Sequence, residues 1–258
     1  MLRALQHIRV AHPWWNASGG RDHLWLMLHD EGPCFCPREI RPSILLTHCG
    51  YYAEPARAWG TFGDDVFTRD ANFYRAWIGD DPARPAQCYR RGKDIVVPPW
   101  KTPYFWKGAL RSEAARDSRP RKGLVYFAGD LGFNRLPGYS HGLRQRAWAH
   151  FCHPTERASC TRQAGGCNAS LPATCAGWEE GVSIKTTTRS YHADLKAHTF
   201  CLAFPGDGWS SRVLDGVIHG CIPVIMQDES DMIFEGAFAD AGLGLGYANF
   251  SIRSKEPE

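Results

Sequence analysis

Residues 198–226, HTFCLAFPGDGWSSRVLDGVIHGCIPVIM, constrain the fold more than any other part of this 258-residue chain. An apolar run too short for a helix (HTFCLAF, 198–204) enters a Gly-rich loop, PGDGW. A short helical pattern follows, then a second apolar run, GCIPVIM (220–226). That order predicts strand, loop, helix and a returning parallel strand. Ser210 or Ser211 is placed to cap the helix. Val213, Leu214, Val217 and Ile218 recur on one helical face, which is expected to pack on the sheet. Arg212, Asp215 and His219 fall on the other face, and Gly220 ends the helix. Further apolar runs, SILLTH (43–48), DIVVPPW (94–100) and GLVYFAG (123–129), read as buried strands. Helical patterns cover 139–151 and 191–196. Strands alternating with helices give an α/β chain with a parallel sheet covered on both faces. AARDSRPRK (114–122), polar, charged and Pro-containing, is the best linker candidate.

The loop–helix junction is suited to an anion. Glycines allow close backbone approach, the helix start offers N–H groups, and Arg212 adds a forked guanidinium. Together they fit a phosphate or diphosphate at the carboxyl edge of a parallel sheet. Asp215, one turn in, can accept hydrogen bonds from sugar hydroxyls. The alternative is an Arg212–Asp215 surface pair above a tight turn, and pattern alone leaves both open. The stretch is neither a Walker motif nor a strict G-x-G-x-x-G fingerprint.

Ten cysteines are many for a cytosolic enzyme, and Cys152, Cys160, Cys167 and Cys175 share one polar stretch. With sequons at Asn16, Asn168 and Asn249 they point to an oxidising compartment. Four cysteines allow several pairings; Cys160–Cys167 nested inside Cys152–Cys175 is one. Cys201 and Cys221, in expected core strands, read as free buried thiols. The net charge of +3 is small and the basic residues are scattered, so no nucleic-acid partner is expected. No apolar run reaches the ~18–20 residues of a membrane span. Gln6, His7 and Arg9 interrupt the first residues, which form neither a signal core nor an anchor. No metal is expected. No Asp-x-Asp occurs, and Asp64-Asp65 and Asp80-Asp81 read as turns. Cys34, Cys36, His48 and Cys49 are irregularly spaced for zinc.

FCLAFPGDGWSSRVLDGVIHGCIPVIMQD (200–228) strongly resembles the C-terminal signature of exostosin-like glycosyltransferases, family 47. HPWWNASGGRDHLWLMLHD (12–30), KDIVVPP (93–99), GLVYFAGDLGFNR (123–135) and YSHGLRQ (139–145) resemble other family segments in the expected order. The resemblance implies a GT-B architecture of two Rossmann-like lobes. A partial N-terminal, acceptor-side lobe is expected over 1–115. A complete sugar-nucleotide-binding lobe is expected over 120–250, with a Cys-rich insert at 152–175. The family signatures begin almost at residue 1, so the chain is expected to lack the first part of its N-terminal lobe. A full-length form would be a type II membrane protein of the Golgi lumen.

The resemblance further implies inverting transfer of a sugar from a nucleotide sugar, UDP-linked, to a glycan or glycoprotein acceptor, with no cofactor required. The alternative is a non-catalytic member that binds nucleotide sugar or glycan. Such transfer needs a base for the acceptor hydroxyl, stabilisation of the leaving diphosphate and orientation of the donor. Asp22 and His23, in GGRDH, are the candidate bases, although His23 could equally be a structural histidine. Ser210, Ser211 and Arg212 are expected at the leaving group, with Arg144 as a second cation or else a surface helix arginine. Gly129 and Gly208 permit close approach, and Asp215 meets donor hydroxyls. Trp14, Trp15, Trp100 and Trp106 could stack on sugars, with core packing the commoner role for tryptophan.

Overall fold

The computed structural model describes residues 1–30, 32–52, 89–110, 120–132, 139–154, 174–206, 208–240, 242 and 245–256. The chain forms two compact units. The first comprises Met1–Pro98, Asp207–Trp209 and Glu229–Gly246; the second comprises Pro99–Gly206, Ser210–Asp228 and Tyr247–Glu258.

The first unit opens with helices α1 (Leu2–Ala11) and α2 (Trp14–Ser18). Strands β1 (Leu24–Met27), β2 (Ile44–Thr47) and β3 (Ile95–Val96) follow, all parallel and in that spatial order. Leu5, Trp15, Met27, Ile40 and Leu45 form its core. Later chain returns to this unit: Arg91 forms an ion pair with the buried Asp231, and Phe234 N–H donates to Val96 O at 2.8 Å.

The second unit opens with α3 (Pro103–Leu110), then β4 (Gly123–Ala128), α4 (Leu143–Phe151), β5 (Val182–Lys185), α5 (Tyr191–Ala197) and β6 (His198–Ala203). α6 (Arg212–Ile218), β7 (Ile222–Ile225) and β8 (Ile252–Arg253) complete it, while α7 (Glu235–Asp240) belongs to the first unit. The sheet is parallel throughout, in the order β5-β4-β6-β7-β8. Side chains alternate across it. Phe127, Ile184, Leu202 and Phe204 pack with Leu143 and Trp148 on one face. Tyr126, Ala128, Cys201, Cys221 and Leu195 pack on the other. This is the α/β, Rossmann-like architecture of a GT-B type fold.

The expected strands over 43–48, 94–100, 123–129, 198–204 and 220–226 are all present, several trimmed at their ends. The expected helix over 139–151 is shorter. Residues Tyr139–Gly142 form a tight turn with Ser140 and His141 left-handed, and the regular helix starts only at Leu143.

Two expectations about the loop–helix unit are corrected. The first concerns the buried face of α6. Val213, Asp215, Gly216 and His219 are buried, while Val217 is 44% exposed. Gly216 lies on this buried face, where even a Cβ would be in van der Waals contact with Cys221 O at 3.4 Å and Cys201 Cβ at 3.6 Å. The helix therefore lies close against β6 and β7. The second concerns the cap. Ser211 occupies the N-cap but makes no capping bond; its hydroxyl donates to Asp215 Oδ2 at 3.3 Å. Ser210 Oγ accepts the Arg212 N–H at 3.4 Å.

The cysteines divide similarly. Cys152–Cys175 forms a disulfide, while Cys160, Cys167 and the Asn168 sequon lie outside the described residues. Cys201 and Cys221 are joined in a second disulfide and are not free thiols. They face the same side of the sheet, one on β6 and one just before β7, so α6 is tied at both its flanks. Arg121 closes the far end of this layer. Its guanidinium donates to the carbonyls of Leu195, Lys196 and His198 at the end of α5, and of His219 and Gly220 after α6. Carbonyls that helix ends leave without intrahelical partners are thereby satisfied. Most of the 114–122 linker candidate lies outside the described residues, as do both Asp doublets.

Candidate functional site

In the second unit, the C-terminal edge of the sheet gathers Gly129, Arg144, Ser210 and Arg212. Arg212 points back across the strand end. Its Nη2 and Nε donate to Ala128 O at 3.0 and 3.3 Å, and its Nη1 meets Ser210 Oγ at 3.5 Å. A Cβ on Gly129 would fall 1.8 Å from Arg212 Nη2, so only glycine leaves room for this guanidinium. Arg144 is not a surface arginine: it is 3% exposed. It donates to Asp130 O at 2.8 Å and to the Tyr139 hydroxyl at 2.5 Å. Both guanidinium carbons stand over the Phe127 ring, at 4.8 Å for Arg212 and 5.4 Å for Arg144. Each is attracted to the ring face by cation–π interaction.

Among the described residues, the hydrogen bonds of Arg212 all go to neutral oxygens, Ala128 O and Ser210 Oγ. Its charge is left without a carboxylate, and an anion is the ligand that would complete it. The surface Arg212–Asp215 pair is therefore not what forms. α6 is short, so the electrostatics of this edge rest on the arginines more than on the helix end.

Asp215 lies inside the unit, 3% exposed. Tyr191 OH donates to its Oδ2 at 2.9 Å, and Lys101 Nζ stands 2.7 Å from Oδ1. That ion pair has the distance of a hydrogen bond without its alignment, so Oδ1 keeps acceptor capacity. Burial, and then the Asp215 charge, push the Tyr191 phenol far above its usual range. It stays a donor at any physiological pH. Neither Lys101 nor Tyr191 was singled out from sequence. A buried carboxylate needs a cation, but nothing in local spacing says that α3's leading segment supplies it.

Beneath Asp215, His219 Nδ1–H donates to Asp215 O at 2.7 Å, which leaves Nε2 to accept from His192 Nδ1 at 2.8 Å. Burial lowers the proton affinity of both histidines, helped by Lys196 in each case. The folded state thus holds them neutral, whereas the unfolded chain takes up protons below about pH 6.5. A depressed histidine stabilises above the unfolded value, and that contribution is lost as pH falls. The melting temperature is expected to drop from pH 7 to 5.5, and His219→Gln to flatten that slope. A pH-independent melting temperature in the wild type would contradict the neutral pair.

Asp22, His23 and Gly208 belong to the first unit. Asp22 is 64% exposed at its side chain and accepts from the Ser18 hydroxyl and from His23 Nδ1, the latter at 2.8 Å. These two bonds, Ser18 first, lower its pKa. His23 packs against Trp15 at 4.9 Å between ring centres. An exposed carboxylate joined to a histidine is a competent general-base pair in form. Gly208 is buried, with its carbonyl 3.7 Å from Cys49 Sγ. Burial raises the Cys36 thiol to about 11. Among the described residues no group of three or more His, Cys, Asp or Glu is arranged to hold a metal ion. Trp15 is core, whereas Trp14 and Trp100 are 65% and 79% exposed. Among the described residues no helix is long and apolar enough to cross a membrane.

The chain is similar to several curated proteins. A probable beta-1,4-xylosyltransferase of Arabidopsis thaliana is 28% identical over 256 residues, covering 95% of this chain and 48% of the relative. A probable glucuronosyltransferase of Oryza sativa subsp. japonica is 29% identical, covering 92% and 46%. A probable glucuronosyltransferase of Physcomitrium patens is 27% identical, covering 95% and 44%. The chain spans about half the length of the curated relatives it matches. The Exostosin GT47 domain matches residues 1–257, and the chain belongs to that family.

Proposed function

We propose that this protein is an inverting glycosyltransferase that moves a sugar from a UDP-linked donor to a glycan or glycoprotein acceptor. The observation that carries this is the Arg212 guanidinium at the carboxyl edge of a parallel sheet, whose hydrogen bonds among the described residues all go to neutral oxygens, with Arg144 over the same Phe127 ring. Ser210, Ser211 and these arginines bind the diphosphate, with Gly129 giving backbone room. Asp215 fixes Ser211 and accepts a donor hydroxyl at Oδ1. Asp22, with His23, takes the proton of the acceptor hydroxyl. The acceptor oxygen then bonds the anomeric carbon from the face opposite the phosphate. The carbon–oxygen bond to phosphate breaks, and UDP leaves with the electron pair, stabilised by the guanidiniums. On this reading the first unit is the acceptor side and the second the donor side. The disulfides fit a Golgi-lumenal, secretory setting.

The test is release of UDP from UDP-xylose and UDP-glucuronic acid, with and without xylo-oligosaccharides. The relatives' names supply the choice of sugars. Acceptor-dependent release that falls at least tenfold in Asp22→Asn supports transfer. Binding without release supports the competing non-catalytic role, and neither binding nor release contradicts both.

A further inference from the structure

The turn that leads into α4 has features the proposed chemistry leaves unused. Ser140, His141 and Gly142 are successively left-handed, at φ 56°, 52° and 71°. Residues with a Cβ adopt that conformation at a cost, and it recurs at functional sites. Ser140 is fully buried and Gln145 is 6% exposed. Among the described residues, Ser140 Oγ and Gln145 Oε1 have no hydrogen-bond partner. Such atoms are rare in folded proteins and call for an explanation. Ser140 N–H donates to Gly206 O at 3.3 Å, and Gln145 Nε2 donates to Tyr139 O at 3.5 Å. Oε1, an amide carbonyl oxygen, can only accept. Gly132 completes the cradle: a Cβ there would lie 2.6 Å from Gln145 Nε2 and 2.3 Å from Tyr139.

We infer that Ser140 Oγ and Gln145 Oε1 form a hydrogen-bonding pair for hydroxyl groups of the transferred sugar. The inference rests on the nucleotide-sugar reading of the same edge. A phosphate oxygen is excluded as partner of Oε1, since an acceptor repels an anion. A hydroxyl both donates and accepts, and matches the pair. The location agrees, because Arg144 lies between them in sequence and grips the diphosphate whose distal phosphate carries the sugar. Both atoms are sealed in the free protein. Engagement therefore requires the Ser140–Gly142 turn to relax from its left-handed state, which offsets part of the cost of opening.

Ser140→Ala separates this role from a structural one. The free variant is expected to melt at or above the wild-type temperature, since it removes an unsatisfied buried hydroxyl. Its affinity for UDP is expected to be unchanged. Its affinity for UDP-xylose or UDP-glucuronic acid should fall about three- to tenfold. Gln145→Met should show the same split between UDP and the UDP-sugars. A lowered melting temperature of free Ser140→Ala would show that the hydroxyl already has a partner, and would overturn the assignment. So would equal losses for UDP and UDP-sugars, which would place the pair on the base or ribose. Unchanged affinity for both also overturns it. Failure of UDP to bind the wild type would bring down the nucleotide-sugar reading, and this assignment with it.

Discussion

Arg212→Ala is expected to weaken UDP binding by about a hundredfold while leaving a cooperatively folded protein. Removing a charged hydrogen-bonding partner from a desolvated anion costs a few kcal/mol, and ~1.4 kcal/mol is tenfold. The cost to folding is smaller. Arg212 is half-buried and satisfies only Ala128 O and Ser210 Oγ, two oxygens that water can reach once the side chain is gone. Arg212→Lys should recover part of the affinity, because it restores the charge but not the fork that spans Ala128 O and the ligand. Calorimetric titration with UDP decides this. Equal affinity in the wild type and in Arg212→Ala would remove the cation from the site.

The second large effect is on stability. Asp215→Ala is expected to cost about 3–5 kcal/mol, the range for breaking a buried ion pair from one side. The carboxylate side chain is 5% exposed and Lys101 15%, so the lysine charge would stay buried and uncompensated. Tyr191 and Ser211 would lose their acceptor as well. Lys101→Met combined with Asp215→Asn should recover much of the loss, because removing both charges avoids the desolvation penalty. Urea unfolding at pH 7 measures both variants. A loss below about 1 kcal/mol in Asp215→Ala would mean that the pair behaves as a surface contact.

The strands of both sheets were largely legible in the sequence, because buried parallel strands are short apolar runs with sharp Gly and Pro boundaries. The strands that escaped are weaker signals. β1 carries exposed Leu24 and Leu26, β5 is half polar, and β8 has two residues at a sheet edge. The face of α6 was misread for a physical reason. Periodicity assigns charged residues to solvent, whereas Lys101 and Tyr191 make burial of Asp215 tolerable from distant parts of the chain. Arg144 follows the same logic, buried because Asp130 O and Tyr139 receive it. The Cys201–Cys221 disulfide was hidden because both cysteines look like core residues, and pairing depends on which side of a sheet each one faces. At the site, residue types and spacing pointed to Arg212 and Ser210, and the family resemblance added Gly129. That Arg212 and Arg144 both stand over Phe127 is a property of the fold.

The most direct test of the account is the melting temperature of the disulfide-intact wild-type protein with and without UDP. A ligand at a hundred times its Kd is expected to add about 2.7 kcal/mol to the folded state by mass action, a shift of several degrees. The account predicts that UDP gives this shift and that Arg212→Ala abolishes it. A cooperative melt that millimolar UDP leaves unmoved would contradict it.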